Sequence, residues 1–496
     1  MVRLCCPPML TATVLWSDSD LIIEPAFPFL EERLKYGHRE LDREFDCVTV
    51  SDMALYRKDN AGRIITFQGL MHKVVGWLKE AGVVIIFRDL RVFSAKPQLH
   101  KMKGFRGSQR EFTSRGLSQM QSGVFKAPTR WGKTTVLTNI LRAYPRCRTV
   151  VTAPGIDLIE QLEVELRAAL PDREVTGLYS GSKKKFQGDD ITVVSMDSLF
   201  KCDHNDTELV VIDEPHSVVT DSRGINLDMF RRARRLAVGA TIDGRFDGAD
   251  ILVQALIGPT LVCRTFLEGV AEKAICPIDV IMLDLPFKSS TFCYDRDEAY
   301  RMLVYENKIL HAAIAEINNT VLAKTCQTIS FIANERQADK LAALVEDGVV
   351  AMAKRMGKKD RAAMFAKMKI QEVKRCLASG IYSTGVTFSG LRAALNCNGG
   401  GPCISVVQKV GRLAEILPNK YSGLYFDFLL RPDDVNPDLP FSVIQDVHRK
   451  KGWNCVWRDS HARVKLYKSI GYNVHHVKTI SELASLVRRL QHPTFL

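Results

Sequence analysis

The stretch "FKAPTRWGKTTVLTNIL", residues 125–141, decides the fold. It contains the pattern A-x-x-x-x-G-K-T of a phosphate-binding loop, which starts at Ala127 and ends in Gly132-Lys133-Thr134. The apolar lead-in predicts a buried strand before the loop, and the apolar spacing after it predicts a helix. A helix N-terminus behind a tight loop presents free backbone N–H groups to an anion. The stretch therefore predicts an α/β domain that binds a nucleotide through its phosphates.

We expect Lys133 to reach the β- and γ-phosphates and the Thr134 hydroxyl to ligate Mg²⁺. Arg130 and Trp131 stand in the loop where small residues are common. An incidental Gly-Lys-Thr on a surface turn is the alternative interpretation. The loop residues predicted to surround the nucleotide are Ala127, Pro128, Thr129, Arg130, Trp131, Gly132, Lys133, Thr134 and Thr135.

The second chemical signal is "ELVVIDEPHSVV", residues 208–219. A predicted buried strand, 209–212, delivers Asp213 and Glu214 at its end. Adjacent carboxylates are costly to bury beside a hydrophobic strand unless a cation compensates them. We therefore expect Asp213 to hold Mg²⁺ and Glu214 to orient and deprotonate an attacking water. A solvated acidic turn is the alternative for an isolated Asp-Glu.

Composition limits the possibilities further. A chain of 496 residues is too long for one hydrophobic core, and about two to four domains are expected. The net charge of +13 indicates a polyanionic partner. Thirteen cysteines without a C-x-x-C pair favour reduced, mostly buried thiols in a cytoplasmic protein. No apolar run approaches the roughly eighteen residues of a membrane span.

Residues 1–95 are predicted to form a small α/β domain. Strands are expected in "TATVLW", "CVTVSDMALYRK", "RIITF" and "VVIIFRDL", the last one buried, and an amphipathic helix in "GLMHKVVGWLKEAG". Every nucleotide-site motif lies after this region, so we expect it to be dispensable for ATP binding and to influence which DNA structure is engaged. From there to about residue 435, strands alternate with helices, which predicts parallel sheets.

Several ordered motifs resemble those of the superfamily 2 helicases. "DEPH" at 213–216 resembles their D-E-x-H box, and Gly239-Ala240-Thr241 resembles their S/G-A-T motif. "TVVTAPGIDLIEQL" at 149–162 is similar to the segment that ends a strand at a proline and continues L-x-x-Q, here Leu158 and Gln161. "ITVVSMDSL" at 191–199 resembles the following strand and loop, which contact a nucleic-acid backbone. "FRGSQREF" at 105–112 is similar to the R-x-x-Q element, and this implies that Arg106 and Gln109 lie near the adenine.

The second half continues the resemblance. "QTISFIANERQADKLAALV" at 327–345 is similar to the start of a second RecA-like domain. "VKRCLASGIYSTGVTFSGL" at 373–391 resembles a nucleotide-sensing turn, which implicates Gly385. "VVQKVGRL" at 406–413 resembles the last helicase motif and implicates Gln408 and Arg412. That motif usually has a second arginine where this chain has Glu415.

Within the superfamily the resemblance is to the phage UvsW-type branch-migration helicases, over about residues 104–475. The segments that carry it are "IGPTLVCRTFLEGVAEKAICPIDVIMLDLP" at 257–286, "YSTGVTFSGL" at 382–391 and "DSHARVKLYKSIGYNV" at 459–474. The implied architecture has the N-terminal domain at 1–95, RecA-like domains at 96–272 and 273–435, and a short C-terminal extension at 436–496.

The resemblance implies an ATP- and Mg²⁺-dependent DNA helicase or translocase that unwinds or branch-migrates DNA in replication, recombination or repair. Its implied partner is single-stranded, forked or junction DNA, bound without sequence preference. It implies a monomer in the cytoplasm, which is the host-cell cytoplasm if the gene belongs to a phage, with replication or recombination proteins as further partners. The residues implied to act in catalysis are Lys133, Glu214, Gln408 and Arg412.

Two alternatives remain open from sequence. One is a motor subunit of a restriction-type nuclease complex, and the other is a nucleotide-gated DNA clamp or annealing factor with weak ATPase. Four basic clusters could follow the DNA backbone, although solvated helix faces would explain them equally. These clusters are Lys183–Lys185, Arg231-Arg232 with Arg234-Arg235, Lys354–Arg361, and Arg449–Lys451. Trp453 and Trp457 are interpreted as core residues rather than stacking platforms for bases.

Overall fold

The structure, a computed structural model, shows two compact units. The first comprises Met1–Glu40, Val50–Pro128 and Gly132–Arg264, and the second Leu41–Thr49, Thr129–Trp131 and Thr265–Leu496. The structure describes residues 10–42, 47–92, 95–178, 190–219, 221–242, 247–288, 295–352, 354–379, 390–401, 404–433 and 454–491.

The N-terminal region forms a five-stranded mixed sheet in the order β5-β6-β2-β1-β7, and β3 pairs with β4 in a ribbon. The parallel pair is β1 with β7, while β1–β2, β2–β6 and β5–β6 are antiparallel. The elements are β1 (Thr11–Trp16), β2 (Asp20–Glu24), α1 (Pro28–Arg33), β3 (Lys35–Asp42), β4 (Cys47–Ala54), β5 (Tyr56–Lys58), β6 (Ile64–Phe67), α2 (Met71–Glu80) and β7 (Val84–Asp89).

One prediction for this sheet is wrong. The "VVIIFRDL" segment does form strand β7, but β7 lies at the edge of the sheet rather than in its interior. Val84, Ile86 and Phe87 are 43%, 46% and 43% exposed. An apolar run indicates a strand, but it does not reveal how many neighbours the strand acquires.

The first large sheet has seven strands in the order β10-β11-β9-β12-β13-β8-β14, and all its neighbours are parallel. Every residue of β9, β11 and β13 is buried, as expected for strands covered by helices on both faces. The elements are α3 (Gln109–Ser118), β8 (Gly123–Lys126), α4 (Lys133–Ala143), β9 (Thr149–Ala153), α5 (Ile156–Ala169), β10 (Val175–Leu178), β11 (Ile191–Ser195), β12 (Leu209–Asp213), α6 (Asp221–Asp228), β13 (Arg234–Gly239), α7 (Asp250–Leu256) and β14 (Thr260–Cys263).

The second unit contains another all-parallel sheet of seven strands, in the order β17-β18-β16-β19-β20-β15-β21. Two parallel sheets, each with its helices, confirm the predicted pair of RecA-like domains beside a small N-terminal sheet. The elements are α8 (Phe266–Ala271), β15 (Ile278–Phe287), α9 (Arg296–Tyr300), α10 (Lys308–Glu316), β16 (Gln327–Phe331), α11 (Glu335–Ala342), β17 (Gly348–Ala351), α12 (Lys358–Lys369), β18 (Arg375–Ala378), β19 (Leu391–Asn396), α13 (Ile404–Gly411), β20 (Gly423–Pro432), α14 (Asn454–Ile470), β21 (Asn473–Val477) and α15 (Ile480–Gln491).

The C-terminal residues are part of this second sheet. Strand β21 pairs with β15, and helix α14 is attached to β20 through a buried ion pair. Arg463 Nε lies 2.7 Å from Asp427 Oδ2, and the Tyr467 hydroxyl donates to the same carboxylate at 2.7 Å. A buried carboxylate needs such partners, because an unpaired one would be strongly destabilising. Residues 454–477 are therefore built into the domain that they follow.

Candidate nucleotide site

The phosphate loop connects β8 to α4 at the carboxyl edge of the first parallel sheet. Gly132 has a φ of +105°, and a Cβ at this position would lie 2.3 Å from Gln109 Nε2. The backbone conformation therefore requires glycine, and a larger residue would also displace the Gln109 side chain. Helix α4 begins at Lys133, and no side chain caps its first turn within the described residues. The loop therefore presents backbone N–H groups to an anion, as the sequence predicts.

The lysine of the loop and the acidic pair lie together. Lys133 Nζ is 2.7 Å from Glu214 Oε1, and His216 Nδ1 is 3.5 Å from Glu214 Oε2. Glu214 has a φ of +54°, a left-handed conformation that a non-glycine residue adopts only when its surroundings enforce it. Its N–H donates to Val238 O at 3.3 Å, which fixes the turn against the neighbouring strand β13.

Burial and the charges of neighbouring groups shift the pKa values of Asp213 and Lys133. Burial and the neighbouring Glu214 charge raise the pKa of Asp213 to about 7. Burial by itself would lower the pKa of Lys133, but the Glu214 and Asp213 carboxylates raise it above its ordinary value. A carboxyl group at such a position gains from a nearby cation, because a cation offsets both the burial and the like charge.

The two residues predicted near the adenine lie beside the loop. Arg106 N–H donates to Gln109 Oε1 at 2.9 Å, so the start of α3 holds both residues together. A Cβ on Gly132 would be 3.2 Å from Arg106 Nη2, so this side chain also borders the loop. The position is the expected one, and the contact with a base remains a prediction.

Gly239 is a residue whose importance the sequence only hinted at through its motif. A Cβ on Gly239 would lie 2.5 Å from Pro215 Cδ, and its carbonyl accepts the Ala127 N–H at 2.9 Å. Strand β13 stands between β12 and β8 in the sheet. The end of β13 therefore touches both the acidic turn and the start of the phosphate loop.

Residues 129–131 of the loop belong to the second compact unit, with Gln408 and Arg412. In this unit Arg130 Nη2 lies 3.7 Å from Glu415 Oε2. The Trp131 indole is 1% exposed and donates to Glu272 at 3.3 Å. The two unusual loop residues are thus held by carboxylates, and Arg130 pairs with the glutamate that replaces the usual arginine. Gln408 and Arg412 are buried, at 9% and 5% exposure.

One of the basic clusters is largely structural. Arg234 donates to the Tyr144 hydroxyl, and Arg235 donates to Leu256 O at 2.6 Å. Both arginines are buried in β13, and burial lowers the pKa of Arg235 to about 10. Assignment of these two to a DNA surface is therefore wrong. In the same cluster Arg231 is exposed.

Trp457 is 3% exposed, which confirms it as a core residue. The predictions for Gly385, Lys183–Lys185, Arg449–Lys451 and Trp453 lie outside the described residues. Eight of the cysteines within the described ranges are free thiols, six of them buried, and no cluster of metal-ligating side chains occurs in those ranges. No helix in that part of the chain has the length and apolar character to cross a bilayer.

A phosphate loop and an acidic pair on tandem RecA-like sheets define the class of nucleotide-hydrolysing motor proteins. Residues 97–244 match the family "Type III restriction enzyme, res subunit". The chain is 21% identical over 378 residues to a putative helicase of a Sulfolobus islandicus filamentous virus, covering 70% of this chain and 67% of that protein. It is 31% identical over 156 residues to the DNA 3'-5' translocase XPB2 of Sulfurisphaera tokodaii, covering 31% of this chain and 34% of that protein.

The fold is shared with the restriction-modification enzyme LlaBIII, solved bound to DNA, at a TM-score of 0.53 and 12% identity over 86% of this chain and 37% of that one. Residues 97–244 therefore form a helicase domain of the superfamily 2 type, which hydrolyses ATP. The likeness to LlaBIII shows that the fold is shared over most of the chain.

Proposed function

We propose that the protein is an ATP-dependent DNA translocase that unwinds or branch-migrates forked and junction DNA without sequence preference. The observation that carries the proposal is the 2.7 Å pair between Lys133 and Glu214 beside the partly buried Asp213. This arrangement supports a phosphate-binding role for Lys133 and a general-base role for Glu214 at the same edge of the sheet. The segment after β11, which resembles a segment that contacts a nucleic-acid backbone, leaves the sheet at that edge as well.

Lys133 and Glu214 would exchange partners during the cycle. Before nucleotide binds, each neutralises the other in a site of low exposure. The arriving triphosphate competes for the Lys133 ammonium, and Glu214 is then released to orient and deprotonate water. Gln408 and Arg412 would complete the reaction from the second RecA-like domain, as the resemblance implies.

Thr134 and Asp213 would hold Mg²⁺, because the Asp213 carboxyl is partly buried beside Glu214 and gains from a cation. The ion would supply charge neutralisation on the transferred phosphoryl group. The residues at this position therefore fit the metal predicted from sequence.

DNA as the partner is supported by the net charge of +13 and by two similar proteins, one named a DNA translocase and the other solved bound to DNA. A polycation gains affinity for phosphates through counterion release, which needs no base reading. We propose a monomer that acts in the cytoplasm, with replication or recombination proteins as further partners.

A motor subunit of a nuclease complex is a second candidate, because the matched family is named for a restriction enzyme subunit. The two candidates differ in whether the protein changes DNA without a partner protein. A helicase moves strands by itself, whereas a restriction motor needs a nuclease partner to alter DNA.

The deciding experiment measures ATP turnover without DNA and with single strands, duplex, forks and four-way junctions, together with strand separation of the same substrates. We expect forks or junctions to stimulate turnover most and to be unwound. Stimulation by plain duplex without strand separation would favour the nuclease motor. ATP binding with negligible turnover on every DNA would favour a clamp or annealing factor.

A further inference from the structure

The N-terminal sheet and the first parallel sheet share one helix, α7. Ala255 of α7 belongs to the hydrophobic core of the N-terminal sheet, and Ile251 packs against that core. Val253 and Leu256 of the same helix belong to the core of the parallel sheet, together with Ala237 of β13. Helix α7 therefore has two buried faces, and each serves a different sheet.

Gly69, which follows β6, lies directly against the backbone of α7. A Cβ on Gly69 would lie 2.1 Å from Gln254 O and 2.7 Å from Ala255 O, so only glycine fits against this backbone. A second attachment lies just before the helix, where Arg39 N–H donates to Asp247 O at 3.1 Å. The segment 247–255 thus contacts the N-terminal domain at two points outside its five-stranded sheet, Gly69 and Arg39.

This segment follows β13, whose end contacts the candidate active site. Gly239 touches Pro215 and accepts a hydrogen bond from Ala127, while Val238 accepts one from Glu214. Helix α7 shares the core around Ala237 with β13, and it contacts the segment Pro215–Val218 that follows Glu214. A continuous set of contacts therefore connects Gly69 to the acidic turn.

Part of this junction is open. A cavity of about 810 Å³ lies between the N-terminal strands and helices α6 and α7. Interiors packed to normal density resist displacement, whereas a cavity leaves room for small shifts. The N-terminal domain therefore acts on α7 through the contacts at Gly69, Ile251 and Asp247 and not across the open space of the cavity. The cavity is lined by residues that include Tyr36, Leu55, Phe67, Val218, Val219 and Leu252.

We propose that the N-terminal domain is a positioning element of the ATPase: through α7 it sets the position of Gly239 and thereby of the Glu214 turn. DNA engaged by the first 95 residues then changes turnover by this route. The inference rests on the proposed function, because it requires turnover that responds to DNA. Gly69 acts through α7, and it has no part in the chemistry itself.

The test compares Gly69→Ala with Gly76→Ala. Both substitutions add one methyl group to the same small domain, but a Cβ on Gly76, within α2, meets nothing within 4 Å. The Gly76 change should be neutral or slightly stabilising, since alanine favours a helix interior. The measurements are amide hydrogen exchange in residues 247–257, ATP affinity, and turnover at saturating ATP with and without a forked DNA duplex.

For Gly69→Ala we expect faster exchange in 247–257, unchanged ATP affinity, and a loss of DNA stimulation of about 5- to 100-fold, the usual range of a coupling between sites. Gly76→Ala should match the unmodified protein in all three. Faster exchange with full DNA stimulation would overturn the inference and make the contact purely structural. Absence of DNA stimulation in the unmodified protein would instead overturn the proposed function.

A second variant covers the case in which Gly69→Ala does not fold. Ile251→Ala removes apolar contact between α7 and the core of the N-terminal sheet. It adds no atoms at the close contact between Gly69 and the α7 backbone. This variant should also show faster exchange in 247–257, unchanged ATP affinity and weaker DNA stimulation, with smaller changes than Gly69→Ala. Normal DNA stimulation in Ile251→Ala, with faster exchange in 247–257, would also overturn the inference.

Discussion

Lys133 Nζ and Glu214 Oε1 lie 2.7 Å apart although their strands, β8 and β12, are separated by β13 in the sheet. The pair forms because each side chain sits on a turn that β13 supports, through Gly239 on one side and Val238 on the other. A cation and a carboxylate this close neutralise each other, so neither is free for chemistry until another charge enters the site.

Glu214→Gln is expected to lower turnover by about 10²- to 10⁴-fold, the usual contribution of a general base. ATP affinity should stay the same or rise, because Lys133 loses a competing partner. Single-turnover hydrolysis and nucleotide titration would measure the two effects. Lys133→Ala is the contrasting variant and should lose nucleotide affinity as well. Normal turnover in Glu214→Gln would remove Glu214 from the proposed site.

Affinity for DNA should depend on salt. If phosphates provide the binding energy, the logarithm of the binding constant falls linearly with the logarithm of salt concentration, by about 0.7 to 0.9 per phosphate contact. Titration of one fork at several salt concentrations, and of forks with different base sequences, gives the slope and the selectivity. A flat response or a strong preference for one sequence would contradict the proposed mode of binding.

The sequence predicts the parts of the molecule that depend on short segments. The phosphate loop and the acidic turn are of this kind, because their chemistry needs particular residue types in a few adjacent positions. The sequence does not reveal contacts between segments that are far apart along the chain, such as the contact of Gly69 with α7. Nor does a run of basic letters show that Arg234 and Arg235 bind protein oxygens in the interior.

Removal of residues 1–95 is expected to destabilise the remaining protein. The sequence predicts that these residues are dispensable for ATP binding, but α7 contributes Ala255 to the N-terminal core. The shortened chain would expose this apolar face to water, at a cost of about 25 cal/mol per Å². Thermal unfolding should show a lower Tm or aggregation. A shortened chain with an unchanged Tm and full ATP affinity would show that the shared core contributes little.

Buried thiols should make stability fall at alkaline pH. Burial raises the pKa of Cys202 and of Cys376 from 9.0 to about 12. Above about pH 9 the unfolded chain releases these thiol protons, while the folded chain retains them. The stability of the folded protein is therefore unaffected by the ionisation of these thiols below pH 9 and decreases as pH rises toward 12. The double variant Cys202→Ala/Cys376→Ala should have a lower Tm, and its free energy of unfolding should decrease less between pH 9 and 11 than that of the unmodified protein. An equal decrease in the two proteins would contradict the argument.

The cation that stabilises the transition state can be assigned by comparing Arg412 with Arg130. An arginine finger contributes about 10³- to 10⁵-fold in rate. Glu415 stands where a second arginine is usual and lies 3.7 Å from Arg130, and this pairing occupies the Arg130 guanidinium. We therefore expect Arg412→Ala to lower single-turnover hydrolysis by orders of magnitude with nearly unchanged ATP affinity, and Arg130→Gly to have a much smaller effect. Glu415→Gln is the control that frees Arg130 without removing it, and it should leave the Arg412→Ala defect in place. A severe defect in Arg130→Gly with a mild one in Arg412→Ala would reverse the assignment, and the loop itself would then supply the catalytic arginine.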